Sequence, residues 1–421
     1  MIILIVNSLF YWVTFLYFYH KYKFSLLGFL WLYYAIFSVF AVFLLWDNLY
    51  FRVMYISESS IENMTMSPYI ILYLSFLYIT IPLKRIRFSN FIIDNTIYRN
   101  RSIRYFCVNC YIVEFVYILI KLYQAYLVSQ VGFGSMHDME DPDKLLYSGT
   151  FSFIIKFLNY LGRFITLVVM PFVTVYIING FLKKYIRRSE LIRCLFLYIS
   201  ASLAVGIVGG SRAQMFFTIL QLIFFFILFK HELPHKLVRV ICFWGTVFLI
   251  LVISVTSQIT NERFENSKTM TPLESVYRYL GEMWLNLSID VWGQARMHPM
   301  GLRVFGYFFT DSELYDAYWY YKTDVHYWWF KTFLGDLYFE FGAFIAIIVI
   351  LLMGVWIRKS LKKSNYELCD VGYIFFIYIV CFTSLFDFVA IYQTNLMILL
   401  FTVLFSKLVK RYTAFPSRLN N

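Results

Sequence analysis

Residues Phe24–Trp46 read FSLLGFLWLYYAIFSVFAVFLLW, an apolar run without a charged residue. About 20 consecutive apolar residues suffice for a helix to cross the hydrocarbon core of a bilayer. Similar runs recur along the 421-residue chain, which is 61% hydrophobic and only 15% charged, with a mean hydropathy of +0.66. A soluble domain is about a quarter charged, and a membrane barrel alternates apolar with polar residues. The sequence therefore excludes a disordered chain, a soluble enzyme and a barrel, and it predicts an all-α polytopic membrane bundle.

We predict eleven membrane-spanning helices, which make residues 1–421 a single transmembrane domain. The predicted spans are Ile2–Tyr19, Phe24–Trp46, Tyr69–Leu83, Tyr105–Val131, Phe151–Leu182, Leu191–Val208, Ala213–Phe229, Leu237–Ser257, Thr332–Ile357, Gly372–Ala390 and Thr394–Leu408. The first span has no basic segment before it and no small-residue cleavage site, so we expect it to remain as an anchor.

The loops between these spans alternate in charge. One set carries 24 basic residues against five acidic ones, and the other carries ten basic against sixteen acidic. The positive-inside rule makes the basic set cytoplasmic, so the N-terminus is predicted outside and the C-terminus inside. Because the net charge of +12 is sorted by membrane side, it does not indicate nucleic-acid binding.

One outer loop, Gln258–Lys331, is far longer than the others, and long loops are usually functional. Within it, Thr271-Pro272-Leu273-Glu274 has the form of a capping box with proline at the first helical position. An apolar stripe at spacings of three and four follows, so we predict an amphipathic helix. Such a helix lies on the outer membrane surface or packs on the bundle.

The same loop contains the candidates for sugar chemistry. His298 stands between Arg296 and Arg303 on a segment broken by proline and glycine. Thirteen of the 26 residues in Phe305–Phe330 are aromatic, and Trp328 is among them. These rings form either a belt at the membrane interface or a surface on which sugar rings stack.

Ionisable residues at membrane depth are costly and often functional. Arg163 lies well inside its span, and Arg212 follows Gly209-Gly210-Ser211 at an outer helix end. Arginine suits bidentate contacts with phosphate, although a snorkelling arginine that binds ordinary headgroups has the same pattern.

Asp336 and Glu340 are four residues apart at the outer end of a span and share a helix face. They are candidates for a general base, for sugar binding or for helix capping.

Four segments carry a resemblance to a known family. They are Gly209-Gly-Ser-Arg212, Tyr277-Arg-Tyr-Leu-Gly-Glu282, His298-Pro-Met-Gly301 and Thr332-Phe-Leu-Gly-Asp-Leu-Tyr-Phe-Glu-Phe-Gly342. With the helix count and the late outer loop, the chain resembles the bacterial O-antigen (oligosaccharide repeat-unit) polymerases of the Wzy type. The family usually has Asp before the final Phe-Gly, where this chain has Glu340.

The resemblance implies a metal-independent glycosyltransferase at the periplasmic face of the bacterial inner membrane. Its substrates would be oligosaccharides carried on undecaprenyl pyrophosphate. The enzyme would need no cofactor, and a chain-length regulator protein would be its partner. Arg212, Arg163, Arg296 and Arg303 could balance the charge of the leaving pyrophosphate. Trp328 would contact sugar. His298 is the first candidate for the base that takes the acceptor proton, and Glu340 and Asp336 come second.

Two alternative functions remain open from the sequence. An O-antigen ligase would move finished glycan onto another acceptor. A flippase or other transporter of lipid-linked oligosaccharide would use polar groups near the middle of the membrane, such as Arg163, Glu114 and Asp387.

Overall fold

The computed structural model describes most of the chain, and the statements below concern that part. It covers residues 1–46, 48–54, 58–86, 91, 93–131, 152–208, 212–264, 271–295, 297–302, 312–323, 325–326, 330–363, 365–386 and 393–418. Over these ranges the chain is helical without a strand, and Phe91 and Tyr366 form an isolated bridge.

The α-helices are named in chain order. They are α1 Ile2–Tyr22, α2 Leu26–Trp46, α3 Leu49–Met54, α4 Ser67–Thr80, α5 Arg101–Val131, α6 Ser152–Phe164, α7 Met170–Leu182, α8 Arg188–Val208, α9 Arg212–Phe229, α10 His235–Phe264, α11 Pro272–Leu285, α12 Ser312–Thr323, α13 Thr332–Ser360, α14 Val371–Thr383 and α15 Gln393–Arg418. Short 3-10 helices cover Glu58–Asn63, Ile81–Arg85, Asn95–Arg99 and Leu368–Asp370. Two π-helices cover Ile165–Val169 and Asn286–Trp292.

A helix occupies most of each of the eleven predicted runs, so the all-α class is confirmed. Within the described ranges, six helical segments are long and apolar enough to cross a membrane, which identifies a helical membrane protein. They are Ile2–Tyr22, Leu26–Trp46, Ser67–Arg85, Arg101–Leu127, Ser152–Leu182 and Thr332–Ser360. The predicted count of eleven spans is therefore not confirmed.

The chain divides into two compact units. The first unit comprises Met1–Ile86, Ser267–Lys363 and Val380–Leu396. The second unit comprises Arg87–Asn266, Ser364–Ile379 and Met397–Asn421.

Large aromatic side chains from distant parts of the sequence form the core of the first unit. Tyr11, Trp31, Tyr34, Phe76 and Trp284 are almost completely buried. The rings of Tyr34 and Phe76 stack at 3.7 Å, and Tyr11 meets Trp284 edge-on at 5.1 Å. Buried aromatic side chains each remove a large apolar area from water and dominate the energetics of a core. Because Trp284 belongs to α11, the long loop contributes directly to this core.

Helix α11 begins as the sequence predicts. Thr271 Oγ1 accepts a hydrogen bond from Glu274 N, and Glu274 accepts one from Thr271 N, which completes the capping box. The bond from Thr271 N is the main reason why the pKa of Glu274 is lowered. Glu274 pairs with Arg52 of α3, and Arg278 pairs with Glu282 at 2.7 Å. Of the two placements predicted for the helix, the structure has the one packed on other helices.

Gly281 allows α11 to lie directly against α2. A Cβ atom at this position would lie 2.7 Å from the carbonyl carbon of Phe40 and 2.8 Å from the amide nitrogen of Ala41. Backbone atoms give way only if a helix moves, so the absence of a side chain here sets the distance between the two helices.

Helix α13 is two helices joined at a kink. Gly342 has φ +73° and ψ 172°, which are not helical angles. Before the kink, most side chains are buried, including those of Asp336 and Glu340. After it, large apolar side chains such as Phe344 (77% exposed) and Leu352 (64% exposed) face outward. This change is expected where a chain passes from a packed region into lipid.

The second unit has its own buried polar contact. Glu114 of α5 is completely buried, and Thr166 Oγ1 lies 2.9 Å from its carboxylate. Thr166 belongs to the π-helix that links α6 to α7. In an irregular turn of this kind, some backbone N–H and C=O groups lack the hydrogen bonds that they would make in a regular α-helix.

Gly281→Ala should destabilise the first unit, because the new methyl group would collide with the backbone of α2. We expect a clearly lower melting temperature in detergent, corresponding to about 1–3 kcal/mol. Gly245→Ala is the matched control, since nothing lies within 4 Å of its Cβ position. Equal melting temperatures for the two variants would contradict this packing.

Candidate functional site

The outer-loop segment Met297–Leu302 docks on the kink of α13. His298 Nδ1–H donates to the carbonyl of Phe339 at 3.1 Å, and Met300 N donates to the carbonyl of Glu340 at 2.6 Å. These two carbonyls precede Gly342, where the helix is interrupted, so they are available to partners outside the helix. The kink therefore supplies the acceptors that hold His298 in place.

Gly342 also makes room for the imidazole ring. A Cβ atom on Gly342 would lie 3.1 Å from His298 Cδ2 and 3.2 Å from His298 Nε2. The positive φ angle is one that glycine adopts without steric cost. The backbone angle therefore favours glycine at this position, and a larger residue would also press against the imidazole ring.

Aromatic rings line one side of this histidine. The Tyr338 ring meets His298 edge-on at 5.1 Å and stacks on Trp292 at 4.1 Å. Trp292 and Tyr338 are partly exposed, and His298 is half-buried. Flat aromatic faces beside a polar ring form a surface suited to the C–H face of a sugar.

A buried ion pair lies at the start of α13. Lys331 Nζ is 3.4 Å from Asp336 Oδ1, and both side chains are at most 2% exposed. The backbone is fixed at the same point, because the amides of Lys331 and Thr332 both donate to the carbonyl of Phe386. Burying two charges costs several kcal/mol per ion unless they are paired, which makes each partner dependent on the other.

The π-helix that follows α11 carries polar side chains inward. Asn286, Ser288 and Asp290 are completely buried. Asn286 accepts from Tyr50 Oη at 2.8 Å and donates to the carbonyl of Phe330 at 2.7 Å. Single-turn π-helices often occur at functional sites, since the extra residue per turn redirects side chains.

The structure brings some of the sequence-predicted site residues together. His298, Asp336 and Glu340 all lie in the first unit around the start and kink of α13. Arg163 lies in the second unit, where its side chain is exposed on α6. Arg212 is the first residue of α9, and its side chain lies outside the described part. The predictions that fall on residues outside the described ranges concern Arg296, Arg303, Trp328 and Asp387.

Sequence reasoning missed three buried residues of this region: Lys331, Asn286 and Asp290. Their partners are between five and more than two hundred positions away, so no local spacing indicates them. One signal was present in the sequence: Asn286, Ser288 and Asp290 alternate with apolar residues in Leu285–Trp292.

Within the described ranges, no group of three or more His, Cys, Asp and Glu side chains is arranged to hold a metal ion. Comparison of the chain with protein-family models, curated proteins and solved structures gives no match.

Lys331→Met should be strongly destabilising, because it leaves the buried Asp336 carboxylate without its cation. Breaking a buried pair from one side typically costs about 3–5 kcal/mol. The double variant Lys331→Met/Asp336→Asn should cost less than the sum of its single variants, as measured by unfolding in detergent. Strict additivity would contradict a direct interaction.

Gly342→Ala should release the docked segment, because the substitution strains the backbone and pushes against His298. We expect faster hydrogen exchange at the Met300 amide and a loss of about 1–3 kcal/mol. Gly245→Ala serves again as the control. Unchanged protection of Met300 in Gly342→Ala would contradict the role assigned to the kink.

Proposed function

We propose that this chain is a polymerase of lipid-linked oligosaccharides, a metal-independent glycosyltransferase of the bacterial inner membrane. The growing saccharide would leave its undecaprenyl pyrophosphate and join a new repeat unit on a second lipid carrier. The products would be O-antigen or capsular-type polysaccharide.

One observation carries this proposal: three of the four segments on which the resemblance rests belong to one compact unit, and two of them are in direct contact. His298-Pro-Met-Gly301 docks on Phe339–Gly342. The Tyr277–Glu282 segment continues into the π-helix, where Trp292 stacks on Tyr338.

The chemistry needs few groups. Transfer from a lipid pyrophosphate requires cations near the leaving group, and Arg212, Arg163, Arg296 and Arg303 are the proposed ones. The acceptor hydroxyl requires a base within hydrogen-bond reach. The Nδ1 proton of His298 is engaged by a carbonyl, so its Nε2 carries the lone pair. Glu340 and Asp336 are the second candidates for this base, and Trp328 would stack on sugar.

The proposed reaction takes place on the periplasmic side. The charge distribution of the loops supports this orientation, with the N-terminus outside and the C-terminus inside. A chain-length regulator protein is the proposed partner.

The two alternative functions differ from the polymerase in their products. Loss of a polymerase leaves single repeat units on the final acceptor, whereas loss of a ligase leaves finished polymer on its lipid carrier. A flippase would move labelled lipid-linked oligosaccharide across a vesicle membrane without extending it.

Arg212→Ala should leave the protein inserted in the membrane and abolish long chains, because a neutral methyl group does not balance pyrophosphate charge. The measurement is the length distribution of polysaccharide made in cells that contain the variant as their only copy. Arg187→Ala is the control, since Arg187 is an exposed basic residue of the predicted cytoplasmic side. A normal length distribution in Arg212→Ala would remove this arginine from the mechanism.

A further inference from the structure

A second histidine of the first unit is held by a carboxylate. His326 Nδ1 lies 3.0 Å from Asp290 Oδ1, and the backbone N–H of His326 donates to Asp290 Oδ2 at 3.2 Å. One residue therefore engages both oxygens of the carboxylate. Asp290 is completely buried, whereas the side chain of His326 remains 22% exposed.

This geometry fixes the tautomer and the direction of the ring. A carboxylate only accepts hydrogen bonds, so Nδ1 must be the protonated nitrogen that faces Asp290. The lone pair of the neutral imidazole is then on Nε2. A carboxylate in this position holds the imidazole in the orientation that a general base needs.

The placement of Asp290 indicates that its carboxylate has a role besides filling space in the core. It lies on the π-helix Asn286–Trp292, and burial of an acidic group is costly unless it serves a partner. Its partner lies 36 positions away, at the end of the aromatic stretch of the outer loop. The Tyr320 ring is 4.9 Å from the imidazole, which adds an aromatic face beside it.

The Asp290–His326 pair also adjoins the docked His298 segment. Val291 and Val325, the chain neighbours of the two residues, pack in one buried cluster with Phe339 and Trp319. The carbonyl of Phe339 is the acceptor for His298. Both histidines are therefore held on the same apolar cluster.

We propose that His326 is the general base of the glycosyl transfer and that Asp290 is its positioning residue. This inference rests on the proposed function and replaces His298, which is held by a neutral carbonyl, as the proton acceptor. The acceptor-sugar hydroxyl oxygen forms a bond with the anomeric carbon of the donor. The anomeric C–O bond to phosphate breaks, and its electron pair leaves with the lipid pyrophosphate. The hydroxyl proton moves to His326 Nε2.

The test uses the full-length protein in lipid vesicles with a lipid-pyrophosphate oligosaccharide as both donor and acceptor. Loss of a general base typically lowers the rate by about 10²–10⁴-fold, so we expect His326→Gln to lower kcat by this factor with little change in KM. Asp290→Asn should lower kcat in the same way, because the amide no longer stabilises the imidazolium. His298→Gln should reduce kcat less than His326→Gln does.

Chemical rescue separates a base from a structural residue. In His326→Gly, added imidazole should restore a measurable fraction of the lost rate, whereas it should not affect the wild type or Arg187→Ala. Arg187 is an exposed residue of the predicted cytoplasmic side and serves as the control for substitution.

The outcomes distinguish the two claims. If the wild-type protein transports or ligates glycan but does not extend it, the proposed function fails. If the wild type polymerises and His326→Gln turns over at the same rate, the assignment of the base is wrong. Inactivity of His326→Gly that imidazole does not relieve would also overturn the assignment.

Discussion

The absence of a side chain at Gly342 is the constraint on which the described site depends. Glycine lets α13 break at this position, and the break frees the carbonyls of Phe339 and Glu340. Those carbonyls then hold His298 and Met300 of a segment some forty residues earlier in the chain. A single backbone angle thus joins an apolar helix suited to lipid with the docked segment and the aromatic rings beside His298.

The polar groups around this kink are unusually well buried for charged side chains. Asp290, Lys331, Asp336 and Glu340 are all at most 2% exposed. Electrostatic interactions are stronger in such surroundings than in water, so each group constrains its neighbours. A region built in this way holds its side chains in fixed directions, which the proposed transfer would require. The proposed chemistry needs fixed cations and an oriented base rather than a metal or a nucleotide.

Local features of the fold were predictable from the sequence, and non-local ones were not. The capping box at Thr271 follows from a spacing of three residues, and the structure has it. Glu274 also pairs with Arg52 of α3, which lies 222 positions away, so no local spacing indicates that contact. The π-helix after Leu285 shifts the helical register, so the apolar stripe of α11 gave no indication that Asp290 would turn inward toward His326. Among the described residues, six helical segments are long and apolar enough to cross a membrane, and the remaining predicted spans stay predictions.

The central claim is that the docked outer segment faces the periplasm, and cysteine labelling tests it most directly. Cys242 is the exposed cysteine of the described part, so Cys242→Ser provides the background. Tyr321→Cys and Tyr185→Cys then place exposed thiols on the predicted outer and cytoplasmic sides. In spheroplasts, a membrane-impermeant maleimide should label Tyr321→Cys at once and Tyr185→Cys only after lysis. Labelling of Tyr185→Cys but not Tyr321→Cys in intact spheroplasts would contradict the account.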